Sequence, residues 1–166
     1  MQKKTTQMLV KELAALALER NVRIATAESC TGGWVATEIT ALAGSSEWFE
    51  CGFITYSNIA KHRMLGVPQE LFISSGAVSE SVVTAMAQGA IDNSEATLSV
   101  SVSGVAGPGG GSAEKPVGTV WMAWALAGEA INTQRFLFAG DRDSVRRVAV
   151  YEALKGLIKQ LDKNTV

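Results

Sequence analysis

The sequence predicts an α/β protein: a three-layer α/β/α sandwich whose sheet is mixed, mainly parallel, and ends in a late antiparallel hairpin. Helical and β-rich segments alternate along most of the chain, which favours strand–helix–strand units with parallel pairing. Two β-rich segments near the end are separated by a short turn at Gly128, which favours antiparallel pairing. No linker or repeat divides the 166 residues, a length that suits one domain. We therefore expect a single domain over residues 1–166.

The composition excludes several classes of protein. The formal net charge is −1 and 47% of the residues are hydrophobic, so the chain lacks the basic excess that binds a nucleic-acid backbone. The longest apolar run, residues 120–127, is too short to span a bilayer, and charged residues interrupt the N-terminal apolar segment, unlike a signal peptide. Two cysteines without such a signal favour free thiols in a reducing compartment. We expect a cytoplasmic protein with no nucleic-acid or membrane partner. One histidine and the lack of a Cys-x-x-Cys motif argue against a zinc site.

Periodicity and composition predict the elements of the first half of the chain. Two helices are expected over residues 6–20 and 34–42. A short helix should begin after a cap at Ser57 and Asn58, a single helical turn should follow Pro68, and a further helix should begin after a cap at Ser79. The strands are expected over residues 22–26 and 51–56.

The second half of the chain contributes three predicted strands and one helix. Residues 98–103 alternate between apolar residues and serine, which is typical of a strand with two unlike faces. A glycine-rich loop follows over residues 104–118. The strand over residues 119–126 is apolar on both faces and should be central, and its hairpin partner covers residues 131–138. A long helix opens at residues 140–143.

The junction between the first predicted strand and the second helix, residues 25–33, combines potential nucleophiles with a carboxylate and two glycines. Such a strand–turn–helix junction presents a hydroxyl at the carboxyl edge of a sheet, beside unpaired backbone N–H groups. One interpretation is that Ser29 is a nucleophile. The other is that Ser29 or Thr31 caps the helix, which both residue types do well.

The glycine-rich loop does not fit either common nucleotide-binding motif. Gly110 and Gly111 stand where a P-loop requires lysine and a hydroxyl residue. Ser112 stands where the dinucleotide motif requires its third glycine, and a strand rather than a helix follows. The loop is either a surface connection or a segment whose backbone approaches a ligand closely.

A nucleophile needs a base that takes its proton, and Lys61 is one candidate. A lysine acts as a base only if burial or nearby positive charge lowers its pKa, and a solvated helix lysine is the alternative. His62 is the only histidine and suits an exposed helix surface. Tyr56, at a strand end, is either a packed aromatic residue with a solvated hydroxyl or part of the site.

Arg142 and Arg146 lie four residues apart and therefore share one face of the last helix, near its N-terminus. Basic residues at a helix N-terminus oppose the helix dipole. They indicate either an anionic ligand or salt bridges to acidic residues such as Asp141 and Asp143.

Taken in order, these segments resemble the CinA C-terminal-domain family in its stand-alone nicotinamide-nucleotide amidase form. The match covers nearly the whole chain. The matching segments are residues 26–33, 55–58 with Lys61, 76–79, 103–108 with 110–111, 115–120 and 140–142. Many relatives carry threonine where Ser103 stands, which retains the hydroxyl.

The resemblance implies hydrolysis of the carboxamide of nicotinamide mononucleotide to nicotinate mononucleotide and ammonia. It implies that Ser29 is the nucleophile, Lys61 the general base and Tyr56 an assisting residue, with neither metal nor cofactor. It also implies self-association into a dimer or a larger homo-oligomer. Under this interpretation Thr31 becomes the better candidate for the helix cap.

The remaining site residues are our interpretation of the chemistry. Backbone N–H groups at the helix start would bind the oxyanion, and the glycine-rich loop with an arginine would hold ribose and phosphate. The expected substrate-binding residues are Cys30, Thr31, Gly32, Gly33, Ser103, Gly104, Gly107, Arg142 and Arg146. Two alternatives stay open: a cysteine hydrolase that uses Cys30, and a nucleotide-binding module without catalysis.

Overall fold

A computed structural model describes residues 4–162 of the chain. Its secondary structure is a five-stranded sheet with six α-helices and one short 3-10 helix, Ser45–Glu47. The helices are α1 (Thr6–Glu19), α2 (Trp34–Thr40), α3 (Asn58–Leu65), α4 (Gln69–Ser74), α5 (Glu80–Asp92) and α6 (Arg142–Asp162). The strands are β1 (Ile24–Glu28), β2 (Phe49–Ile54), β3 (Leu98–Gly104), β4 (Thr119–Leu126) and β5 (Asn132–Leu137).

The sheet is mixed, as predicted, with the strand order β2-β1-β3-β4-β5. Strand β1 pairs in parallel with β2 and with β3, whereas β4 pairs antiparallel with both β3 and β5. Four strands therefore run in one direction and only β4 opposes them. The prediction that residues 119–126 form a central strand with a hairpin partner is confirmed.

Helices cover both faces of the sheet, which confirms the three-layer sandwich. The larger core joins α1, α2 and α6 to one face, with Leu13, Met122 and Leu157 fully buried. The other face packs on α5, with α3 and α4 beyond it, around Val82 and Met86. No helix among the described residues is long and apolar enough to cross a membrane.

Strand β3 has two unlike faces, as the alternation predicts, with its serines on one face and its apolar residues on the other. Both faces of this strand are buried. Ser99 and Ser101 are fully buried against α5, and their hydroxyls donate to the carbonyl oxygens of Ala87 and Val83 at 2.7 and 2.6 Å. Helix carbonyls thus satisfy the hydroxyls, and a sequence of alternating serines can form a central strand.

The first two strands are displaced from their predicted positions by two residues, in opposite directions. Strand β1 extends to Glu28 because its small residues pair with strands on both sides. Strand β2 ends at Ile54, so that Thr55 and Tyr56 belong to the loop before α3. Both strand ends lie at the same edge of the sheet, where the candidate site residues converge.

The β1–α2–β2 connection runs over one face of the sheet and the β2–α5–β3 connection over the other, with β1 between its neighbours. Ligands of open α/β sheets bind at the carboxyl ends of the strands where the connections diverge in this way. The carboxyl end of β1, which is followed by Ser29, is this point.

Candidate active site

Ser29 lies in a tight turn between β1 and α2. Its N–H donates to the carbonyl oxygen of Val102, which continues the β1–β3 pairing, and its own carbonyl accepts from the N–H of Gly32 at 3.0 Å. Gly32 and Gly33 have φ values of +60° and +94°, a left-handed conformation that glycine adopts without steric cost. The two glycines therefore allow the sharp change of direction that places Ser29 at the sheet edge.

Lys61 of α3 reaches this turn from the other side of β1. Its Nζ lies 3.1 Å from Ser29 Oγ, 2.8 Å from the carbonyl oxygen of Thr55 and 3.1 Å from that of Tyr56. A neutral amine has two hydrogens and one lone pair. If the hydrogens go to the two carbonyls, the lone pair is left to accept the hydroxyl proton of Ser29. The geometry suits the transfer of a proton from serine to lysine.

The environment of Lys61 increases the fraction of this neutral form. The side chain is only 1% exposed, and burial lowers the pKa of the amine from its ordinary value to about 8. From the sequence, either burial or nearby positive charge could lower the pKa of Lys61, and in the structure burial lowers it. The alternative of a solvated helix lysine is wrong.

Glu28, the last residue of β1, caps α2. Its carboxylate is fully buried. It accepts hydrogen bonds from the N–H groups of Gly33, Val35 and Ala36 at 3.2, 3.0 and 2.9 Å. The expectation that Thr31 caps this helix is wrong, because the Thr31 hydroxyl instead donates to the Glu28 carboxylate at 2.6 Å.

Cys30 follows the serine but belongs to the hydrophobic core. Its side chain is 6% exposed and packs in the cluster with α1, α2 and α6. Burial raises the pKa of the thiol to about 11, so the thiol stays protonated near neutral pH. Since the thiolate is the reactive form, the structure argues against a hydrolase that uses Cys30.

Tyr56 and Arg142 meet across the site. Arg142, in the first turn of α6, donates from Nη2 to the Tyr56 hydroxyl at 3.1 Å and from Nη1 to the carbonyl oxygen of Gly107 at 2.9 Å. The Tyr56 side chain is 60% exposed, so it forms an open wall of the site. Arg142 thereby links the glycine-rich loop to the segment that carries Lys61.

Arg146, one turn further along α6, contacts the serine turn itself. Its Nε and Nη2 donate to the carbonyl oxygens of Cys30 and Thr31 at 3.0 and 3.2 Å. The alternative that Arg142 and Arg146 form salt bridges is wrong within residues 4–162, where neither has an ion pair. The pair to Asp143 is made by Arg147.

The structure separates three predicted site residues from the reacting groups. Ser103 is 1% exposed and its hydroxyl donates to the carbonyl oxygen of Ala77 at 2.8 Å. At Gly104 a Cβ atom would lie 2.7 Å from Val120, so this glycine serves the close packing of β3 on β4. The N–H of Gly33 is occupied by Glu28. His62 also lies outside the site, because its Nδ1 contacts the carbonyl oxygen of Val67.

Two features of the site are absent from the sequence-based prediction. The first is the capping carboxylate of Glu28, for which the signal is an acidic residue at the end of an apolar strand directly before a helix. The second is the pair of carbonyl oxygens from Thr55 and Tyr56 that orient Lys61, which no side-chain pattern reveals. In residues 4–162, no three His, Cys, Asp or Glu side chains group closely enough to hold a metal ion.

A three-layer α/β fold with a hydroxyl and a buried amine paired at the carboxyl edge of its sheet suits an enzyme that uses an activated nucleophile. The model of the family described as CinA C-terminal domain matches residues 6–161, and the chain belongs to this family.

Curated relatives and solved structures agree with this membership. The chain is 56% identical over 160 residues to the nicotinamide-nucleotide amidohydrolase PncC of Escherichia coli (strain K12), covering 95% of this chain and 96% of that protein. Identity to the protein of the same name from Pseudomonas putida is 55%, over 84% of this chain and 86% of that protein. The competence damage-inducible protein A (ComA) of Klebsiella pneumoniae has a crystal structure that aligns with a TM-score of 0.93 at 38% identity, covering 98% and 100% of the two chains.

Proposed function

We propose that this protein hydrolyses the carboxamide of nicotinamide mononucleotide to nicotinate mononucleotide and ammonia by means of a Ser29–Lys61 dyad. The coarser assignment, a hydrolase of an amide C–N bond, follows from identity of 56% over most of its length to a relative named for that activity. The single observation that supports the dyad is the distance of 3.1 Å between Lys61 Nζ and Ser29 Oγ.

The proposed reaction has two stages. In the first, the Ser29 oxygen attacks the carboxamide carbon while Lys61 accepts the hydroxyl proton, and a tetrahedral intermediate forms. Its collapse breaks the C–N bond, and Lys61 returns the proton to the leaving ammonia. In the second stage, water attacks the ester carbon while Lys61 accepts a proton from the water. The bond between the acyl carbon and Ser29 Oγ then breaks, Lys61 returns the proton to the Ser29 oxygen, and the acid product leaves as the carboxylate after losing its proton to solvent.

The N–H groups of Cys30 and Thr31 are our candidates for oxyanion donors. They flank the Ser29 turn, and in the described part of the chain neither donates to a backbone or side-chain acceptor of another residue. The N–H groups of Gly32 and Gly33 are already occupied. Of the four backbone N–H groups expected to bind the oxyanion, those of residues 30–33, only the N–H groups of Cys30 and Thr31 therefore remain as candidates. Preorganised donors of this kind stabilise the developing charge without reorganisation.

Arg142 is our candidate for binding the substrate phosphate. It has no carboxylate partner within residues 4–162, and its guanidinium lies between Tyr56 and the loop at Gly107. An arginine fork without a carboxylate partner matches phosphate geometry well. Tyr56 orients this arginine in the proposal, and the Gly107 carbonyl fixes it to the loop.

Ammonia release from nicotinamide mononucleotide by the purified protein tests the proposal, with the variants Ser29→Ala and Lys61→Ala alongside. We expect each variant to lose about 10³-fold or more in kcat. Full activity in Ser29→Ala would exclude the dyad. No turnover by the wild type, with nucleotide binding intact, would instead favour a binding module.

Two further proposals concern the protein's setting. We propose that it works in the cytoplasm and self-associates into a dimer or a larger homo-oligomer. Exposed apolar side chains support self-association, with exposures of 53% for Ile54, 50% for Ile59 and 88% for Ile73. A monomer mass at micromolar concentration in light scattering would contradict it.

A further inference from the structure

Two side chains from opposite sides hold the turn that carries Ser29. On the inner side, the buried Glu28 carboxylate accepts from the Thr31 hydroxyl and from three N–H groups at the start of α2. This carboxylate links the end of β1 to the first turn of α2, and the serine turn lies between the two. Charge-assisted hydrogen bonds of this kind are stronger than neutral ones, so the ends of the turn are tightly fixed.

On the outer side, Arg146 of α6 binds the carbonyl oxygens of Cys30 and Thr31. Its guanidinium lies over the Trp34 ring at 5.3 Å, which restricts the plane of the side chain. An arginine held over an aromatic ring loses less freedom when its planar fork binds two acceptors. The turn is therefore clamped between β1 and α6.

The outer contact also sets the direction of a proposed oxyanion donor. A trans peptide is planar, with its C=O and N–H pointing in opposite directions. When the Cys30 carbonyl points towards Arg146, the N–H of Thr31 points away from α6. Loss of the arginine would free this peptide to rotate. Loss of the carboxylate would free its other end through the Thr31 hydroxyl.

We propose that Glu28 and Arg146 are positioning residues for the amide hydrolysis: they act through the turn and hold Ser29 and its adjacent N–H groups in the reactive geometry. This inference rests on the proposed function of Ser29. It replaces the phosphate-binding role that the sequence suggests for Arg146, because the guanidinium is directed at main-chain carbonyls.

The test compares Glu28→Gln and Arg146→Gln with two matched controls. Glu28→Gln keeps the shape of the side chain but turns one acceptor into a donor that faces the α2 N–H groups. Its control, Ser79→Ala, removes the side-chain cap of α5; within residues 4–162 the Ser79 hydroxyl contacts Gly76, Ser81 and Val82 and no residue of the Ser29 turn. The control for Arg146 is Arg147→Gln, since Arg147 also lies over Trp34, at 5.1 Å, but binds Asp143 instead of the turn.

We expect Glu28→Gln and Arg146→Gln each to lower kcat for nicotinamide mononucleotide by about 10²-fold, the cost of a misplacement near 1 Å. The two controls should stay within about threefold of the wild type, even where Ser79→Ala lowers the melting temperature. The double variant Glu28→Gln/Arg146→Gln should lose much less than the product of the two single losses, because both residues act on one turn.

Specific outcomes would overturn the inference. If Arg146→Gln raised KM and left kcat unchanged, Arg146 would be a substrate-binding residue. If Glu28→Gln lowered the melting temperature like Ser79→Ala but kept kcat, Glu28 would be a helix cap only. Arg146 is only partly buried, so its variant remains informative if Glu28→Gln fails to fold. A Ser29→Ala variant measured alongside separates the two proposals. If Ser29→Ala stays active, the proposed dyad is wrong. If Ser29→Ala is inactive but Glu28→Gln and Arg146→Gln are fully active, only the positioning role of Glu28 and Arg146 is refuted.

Discussion

The pH dependence of the reaction tests the role of Lys61 most directly. Burial lowers the pKa of this amine from an ordinary value near 10.5 to about 8. At pH 7, a lysine with the ordinary value would be neutral in about 0.03% of molecules, whereas a pKa of about 8 makes about one tenth neutral. Burial therefore increases the reactive fraction by about 300-fold at this pH. The free enzyme should show this titration.

We expect kcat/KM to rise about tenfold per pH unit up to pH 8 and to level off above it, because only the neutral amine accepts the Ser29 proton. The sign follows from the direction of the shift: a lowered pKa makes the amine neutral at a lower pH. Measurements should begin above pH 6.5, since the substrate phosphate titrates near pH 6. Ammonia release at low substrate concentration gives the profile.

The matched variants are Lys61→Met and Lys61→Arg. The methionine side chain would fill a similar volume without a base, and the guanidinium introduced by Lys61→Arg stays protonated at these pH values. Both variants should lose about 10²- to 10⁴-fold in activity, the usual contribution of a general base. A flat wild-type profile between pH 6.5 and 8, or a Lys61→Arg variant with normal activity, would refute the reasoning.

Three further predictions follow from the same geometry. Cys30→Ala should keep kcat within about tenfold of the wild type, because the protonated thiol packs in the core; loss of all activity in a folded variant would restore the cysteine mechanism. Arg142→Gln should raise KM for the nucleotide by about 10-fold or more and leave kcat nearly unchanged, as expected for uniform binding; an unchanged KM would remove Arg142 from the phosphate site. The pKa of Lys61 is lower in the folded than in the unfolded state, so the unfolded state binds the proton more tightly. The free energy of unfolding of the wild type should therefore rise by about 3 kcal/mol from this group between pH 8 and pH 10.5, and fall again as the pH is lowered. Lys61→Met should lack that gain in matched denaturant titrations, and an identical pH dependence in both proteins would contradict the shift.

The fold is predictable from the sequence because local pattern and burial agree along most of the chain. The helices capped by Ser57 and Ser79 begin where expected, since each hydroxyl accepts from an N–H group three residues on. The burial of the serine face of β3 is not predictable, because its hydroxyls donate to carbonyl oxygens of α5 that lie twelve or more residues away in the sequence. Hydrogen bonds between elements that are distant in the sequence produce no periodic pattern from which they could be predicted.

The candidate site is predictable in its residue types and not in its hydrogen-bond network. The resemblance points to Ser29 and Lys61, whereas the residues alone leave a helix cap and a solvated lysine open as alternatives. The distance between the two side chains depends on how α3 follows the carboxyl end of β2. The expected cap for α2 is wrong for a related reason. A glutamate at a strand end replaces the usual cap at the helix boundary, because β1 directs the Glu28 side chain towards α2 and Ser29 towards α3.

The occupied donors at α2 decide how a nucleotide would lie in the site. A glycine-containing turn before a helix ordinarily offers N–H groups to a phosphate. Here the Glu28 carboxylate takes three of these groups, and its charge repels an anion. Under the proposed function, we expect the phosphate to lie at Arg142, at the end of the site formed by α6 and the loop at Gly107, and the carboxamide to lie at the turn beside Ser29. The Glu28 carboxylate would then both position the proposed nucleophile and favour this orientation of the substrate.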